Sequence, residues 1–202
     1  MVISESNNII SRICALFVLA VITIAGADSA YGQSRPFDTI HFGVAGGLDF
    51  VETEIHETWT IPAVAGIYIA SPFYAGQAVI SATYLPASSR SGDVTDFWAL
   101  YAGAGLDYPL KINNRIEFVP GFRFGSMYMN FKDEPVDFRK EESEIFVGAE
   151  LGLVTTITPS AKLKFSSTLL HTFTDVPIDV SLFNLGIEYR IKTPGWLRNV
   201  LQ

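Results

Sequence analysis

Few side chains in this sequence are suited to acid–base or metal chemistry. His41, His56 and His171 lie on separate segments, without the ligand spacing of a zinc site. Cys14 is the sole cysteine and sits inside an apolar N-terminal run, so neither a disulfide framework nor a thiol nucleophile is expected downstream. His171 is followed by Thr172 and Phe173, the candidate hydroxyl near it is Ser167, and no obvious acid stands beside them. No GxSxG elbow, Walker loop or dinucleotide fingerprint occurs. These residues predict no catalysis, cofactor or metal. What remains is charge. Asp49, Asp107, Glu117, Arg123, Glu150, Glu188 and Arg190 recur in phase with glycines, and both signs in one phase suggest an enclosed, mutually paired network.

That phase has a period of two. Residues 40–51 set Ile40, Phe42, Val44, Leu48 and Phe50 against His41, Gly43, Ala45, Gly47 and Asp49. Residues 115–130 set Ile116, Phe118, Phe122, Phe124 and Tyr128 against Arg115, Glu117, Gly121, Arg123 and Gly125. Ile145, Val147, Leu151 and Leu153 alternate with Glu144, Gly148, Glu150 and Gly152, and residues 183–191 repeat the pattern. Successive side chains of a strand point to opposite faces, so each segment reads as a strand with one apolar and one polar side. Residues 59–70, 74–85, 96–108 and 162–173 complete the set less cleanly, and the facing of the alanine-rich pair among them is open. Pro62 and Pro120 fall inside these segments and predict a bulge or an edge irregularity.

Short connections around residues 71–73, 111–114 and 158–161 alternate with longer ones at 52–58, 87–95, 131–142 and 174–180. Eight strands of about 10 to 14 residues in this order predict an all-β, antiparallel up-and-down barrel, and about 9 to 11 residues suffice for a tilted transmembrane strand. Glycines beside long charged residues belong on the concave side of so narrow a barrel, which turns Phe and Leu outward to lipid. Trp59, Tyr84, Trp98, Tyr128 and Phe183 at the long-loop ends, with Tyr74, Tyr108 and Tyr189 at the short-turn ends, suit two interfacial girdles. A soluble periplasmic lipid-binding barrel, with the apolar side inward, is the alternative.

Of 202 residues 49% are hydrophobic and 17% charged, which excludes a disordered chain. The net charge of −7 argues against nucleic-acid binding. Acids gather in the long loops (Glu52, Glu54 and Glu57; Asp133, Glu134, Asp137, Glu141 and Glu142; Asp175 and Asp179), which are either simply solvated, bridge divalent cations to lipopolysaccharide or contact a basic partner. Lys111, Arg115, Lys162, Lys164, Lys192 and Arg198 gather at the short-turn side. Arg12 and the apolar residues 13–24 precede Ala25-Gly26-Ala27, predicting a signal peptide over 1–27 cleaved near Ala27 or at Ala30. A lead-in at 28–39, a barrel at 40–191 and a periplasmic tail at 192–202 follow.

The last strand, Asn184-Leu185-Gly186-Ile187-Glu188-Tyr189-Arg190-Ile191, matches the polar-x-Gly-x-x-hydrophobic-x-hydrophobic signal of barrel assembly. With it, residues 40–191 resemble the small eight-stranded outer-membrane proteins of the OmpA-barrel and OmpX type. That resemblance implies outer-membrane lipid and lipopolysaccharide as surroundings, the barrel-assembly machinery as partner through Asn184, Gly186, Tyr189 and Ile191, and a monomer. The commonest pattern ends on an aromatic residue, whereas here Lys192 and a tail with Trp196 and Leu197 follow. Outer-membrane enzymes such as the lipid A deacylases carry a His-x-Ser signature that His171-Thr172-Phe173 lacks. The function expected is structural or surface-displaying, with narrow or lateral solute passage as the alternative.

Overall fold

The computed structural model describes residues 36–51, 53, 55–74, 76–92, 94–133, 140–174 and 178–201. The expected signal peptide and most of the lead-in lie outside these residues. Eight long strands follow one another: β1 (Thr39–Asp49), β2 (Val64–Phe73), β3 (Gly76–Ser89), β4 (Phe97–Asp107), β5 (Ile116–Phe131), β6 (Glu141–Thr158), β7 (Ala161–Thr172) and β8 (Ile178–Lys192). Each pairs antiparallel with its sequence neighbours. The seam is β1 on β8, from Thr39↔Lys192 to Asp49↔Leu182. Closure leaves no open edge, so the backbone groups of the wall satisfy one another without water. Two-residue strands, Trp59–Thr60 and Leu110–Lys111, add to β3 and β5. Two short helices, α1 (Ile55–Thr58) and α2 (Gly195–Leu201), lie outside the wall.

Strand limits depart from the expected ones where proline or a turn intervenes. β2 begins at Val64, because Pro62 sits in the unpaired stretch 61–63 rather than inside a strand. β2 and β3 pair up to Phe73↔Gly76, with Tyr74 just beyond β2 at a φ of 50°. Pro120 lies within β5 opposite Leu151, and no bulge forms there. The irregularity is on the other flank, where pairing lapses between Asp107↔Gly121 and Leu110↔Phe118. Pro109 and Pro120, both without an N–H, lie in that gap. β5 and β6 run to 16 and 18 residues, longer than a bilayer requires.

The two faces separate as the alternation requires. Phe42, Val44, Ile67, Phe122, Leu151, Leu185 and Ile187 are exposed on the outside, as is Ile80 at 68%. His41, Asp107, Arg123, Lys164 and Glu188, of the opposite parity, are buried. Glycine makes this inner crowding possible. A Cβ on Gly43 would fall inside the ring of Tyr68, its cross-strand partner, and one on Gly121 would meet the Asp107 carboxylate. Gly43→Val is therefore expected to cost about 1–3 kcal/mol by overpacking. Most of that loss should vanish in a Tyr68→Ala background, and urea unfolding followed by gel mobility measures both.

The interior has two storeys, and only one matches the expected polar lumen. In the short-turn half the inward side chains are mainly charged or small, with Tyr68, Val79, Val119 and Val154 among them. In the long-loop half Leu85, Phe97, Tyr101, Met127, Met129, Phe131, Phe146, Leu170 and Leu182 form an apolar cluster. Ile55 and Ile61, from the connection between β1 and β2, close it from above. Bulky apolar side chains thus occupy both faces of the wall there, which the assignment of Phe and Leu to the outside alone did not anticipate. Trp59 departs from the girdle for the same reason. It packs against this cluster with its ring edge-on to Phe97 at 5.3 Å, and its indole N–H donates to the Thr95 carbonyl at 3.0 Å. Tyr84, Trp98 and Tyr128 remain in a row, with centroids 6.0 and 5.4 Å apart.

Candidate functional site

The charged storey is assembled from neighbouring inward positions of β4, β5, β6 and β7. Arg123 Nη1 lies 2.5 Å from Asp107 Oδ1, and its Nη2 lies 3.5 Å from Glu150 Oε1. Lys164 Nζ lies 2.5 Å from that same Glu150 oxygen and 3.5 Å from Asp107 Oδ2. Two cations and two carboxylates thus alternate around a square whose own charges balance. Enclosed ions are tolerable only with such pairing. The Thr168 hydroxyl donates to Glu150 Oε2 at 3.4 Å and in turn accepts from the Asn184 amide at 3.1 Å.

A second group joins this square through Tyr68. Lys164 Nζ stands 4.9 Å from the centre of the Tyr68 ring, whose hydroxyl donates to Glu188 Oε2 at 3.3 Å. The other Glu188 oxygen is 2.6 Å from His41 Nδ1. Towards the short turns Lys162 Nζ donates to Glu117 Oε2 at 2.7 Å. Between the charged and apolar storeys lies a cavity of about 70 Å³, bounded by Tyr68, Thr83, Tyr101, Arg123, Glu150 and Asn184. It is polar enough, and large enough, for a few waters.

Of the residues expected to form the interior network, Asp107, Arg123 and Glu150 meet directly, and Glu188 joins through Tyr68 and Lys164. Glu117 is in a separate pair with Lys162. Asp49 is apart from them, at the long-loop end, 3.2 Å from His56 Nε2. Arg190 is not brought in: it is exposed at the short-turn rim, one inward position beyond Glu188. Lys164, Tyr68 and His41 were not anticipated as network members. Lys164 shares its phase with Ser166, Thr168 and Thr172, all buried, so its parity was the available signal.

His171 calls for a correction. An acid does stand beside it: Asp179, its register partner on β8, places Oδ1 2.6 Å from His171 Nδ1. The pair sits on the outer face near the long loops, with the imidazole edge-on to Phe173 at 4.8 Å. Ser167 pairs instead with Phe183, two positions farther along each strand from the histidine's neighbours. Among the described residues no group of three or more His, Cys, Asp or Glu side chains is placed to hold a metal ion.

A closed antiparallel barrel of eight strands, apolar outside and ionically paired inside, has the architecture of a membrane-spanning β-barrel. Solved structures with a similar fold are small outer-membrane barrels. Neisserial surface protein A is 13% identical, with a TM-score of 0.54 over 77% of this chain and 96% of that one. The N-terminal β-barrel domain of Pseudomonas aeruginosa OprF is 12% identical, with a TM-score of 0.50 over 78% of this chain and 100% of that one. At such identities the likeness is one of fold. No protein-family model matches the sequence, and a search of curated proteins finds no match.

Proposed function

We propose that this chain is a bacterial outer-membrane protein whose barrel is a sealed, membrane-anchored scaffold for its long loops. Its role is then structural or surface-displaying, in envelope integrity or surface interaction, and not enzymatic. One observation carries this reading: side chains occupy both halves of the lumen. The ionic square occupies one half, the apolar cluster the other, and Ile55, Trp59 and Ile61 stop the mouth. The cavity of about 70 Å³ between them has room for a few waters. The apolar exterior favours lipid as its surroundings and counts against a soluble carrier with its greasy side inward.

In β8, Asn184 and Gly186 face inward while Tyr189 and Ile191 are exposed outside, on the strand that forms the seam with β1. A closing strand is where the assembly machinery would read such a motif. Planar-bilayer recording tests the scaffold directly. The purified barrel is expected to give no steady conductance steps. Discrete, reproducible steps would instead establish the competing reading, passage of a small solute.

A further inference from the structure

Among the described residues, the exposed charged side chains at the short-turn end of the barrel are all cations. Lys111, Arg115, Arg190 and Lys192 are exposed there. Neighbouring carboxylates are engaged: Glu117 by Lys162, Glu188 by His41, and Asp38 by Arg198 at 3.6 Å. Arg115, Arg190 and Lys192 have no ion pair among the described residues. Arg115 precedes β5 while Arg190 and Lys192 end β8, so these cations stand on opposite sides of the rim rather than in one patch. Their backbone positions have the lumen's parity. Being at the ends of the ladder, their long stems can run over the rim with the charge held in the polar layer.

Just outside these cations lies exposed apolar and aromatic surface. Tyr74 is 78% exposed and Trp196 70%, with Ile112 and Tyr189 also open. Trp196 belongs to α2, which the Arg198–Asp38 pair and the Thr193 N–H to Asp38 carbonyl bond (3.1 Å) hold against the start of β1. It is therefore a fixture of the rim. Rings at headgroup depth with cations beyond them are what an interface with an anionic lipid surface requires. The long-loop end is mixed instead, with Glu57, Asp133 and Glu141 exposed beside Arg90, Lys132 and Lys140.

We propose that the short-turn rim binds the anionic phospholipid headgroups of the leaflet it faces, with Trp196 seated among them and Arg115, Arg190 and Lys192 as the phosphate-facing cations. This rests on the membrane-barrel reading above. The test reconstitutes the purified full chain into vesicles of phosphatidylcholine, with and without about one quarter phosphatidylglycerol. The heat-unfolding midpoint is read from gel mobility. The anionic lipid is expected to raise it by roughly 5 °C at low salt, and high salt to erase the gain. Substituting Arg115→Gln, Arg190→Gln and Lys192→Gln together should also erase it. Should that triple variant fold poorly, brominated phosphatidylglycerol provides a second measurement: it should quench the native fluorescence more than that of Trp196→Phe.

Equal midpoints and equal quenching, in a barrel that still inserts and is heat-modifiable, overturn the proposal and leave the barrel reading standing. A chain that inserts into neither vesicle overturns both. Inorganic phosphate reproducing the stabilisation on pure phosphatidylcholine overturns it too, by showing a soluble anion to be sufficient.

Discussion

Arg123→Leu is expected to be the most damaging single change in the lumen, lowering barrel stability by about 3–5 kcal/mol. The guanidinium spans two carboxylates, Asp107 on β4 and Glu150 on β6, and reaches them from β5 between them. Leucine would fill part of the volume but leave both acids facing Lys164 alone. Asp107 and Lys164 are buried, so the few waters that the adjoining cavity can admit replace the guanidinium poorly. Charge balance, more than the number of bonds, sets the size of the effect. For that reason Arg123→Met with Asp107→Asn should recover much of the loss, since one cation and one anion leave together and the Lys164–Glu150 pair at 2.5 Å remains. Urea unfolding in lipid vesicles measures all three proteins. An unchanged midpoint for Arg123→Leu would show that the square contributes nothing to holding the wall closed.

Alternation reveals a strand's faces only where those faces differ in polarity, and this decides what was legible here. In β1, β5 and β8 the glycine and charge positions share one parity but for Gly46 and Asp179, so strand, facing and barrel follow from residue types alone. The long-loop half breaks the condition. Phe97, Met127, Met129 and Phe146 point inward while Trp98, Leu100, Tyr128 and Ile145 lie on the other face, and apolar residues on both sides carry no direction. Cross-strand partners are hidden for a different reason. His171 and Asp179 belong to separate alternating patterns, and only the hairpin register, fixed by Thr172↔Ile178, makes them neighbours. The same holds for Lys164, whose partners come from β4 and β6. A register counted outward from the β7–β8 turn would have found the His171–Asp179 pair; the Lys164 contacts lie beyond it, since Glu150 is in register with Thr168 and Asp107 stands on β4, which does not pair with β7. The pairing of Trp59 with Phe97 lies beyond even that rule, since it depends on how a connection folds over the mouth.

Phe124→Arg tests the other half of the molecule, its contact with lipid. Phe124 is 55% exposed, in mid-strand on β5 between Ala104 and Val147, with the Phe122 ring stacked 6.3 Å away. In a bilayer an arginine near the midplane costs about 2–4 kcal/mol, and the same residue near the interface about 0–1. The companion substitution Tyr74→Arg supplies that interfacial reference, because Tyr74 sits in the turn beyond β2. Unfolding from vesicles should therefore separate the two variants by about 2 kcal/mol or more, in favour of Tyr74→Arg. In water the order has no reason to hold, since exposed substitutions usually fall within about 0.5 kcal/mol of the parent. Depth is the main difference between them: both changes introduce the same charge on the outside of one barrel, each removes one ring contact (Phe122 from Phe124, Phe73 from Tyr74), and neither touches the ionic square. Equal free energies for the two would put the Phe124 face in water, and the closed ladder would then enclose its charges for some purpose other than crossing a membrane.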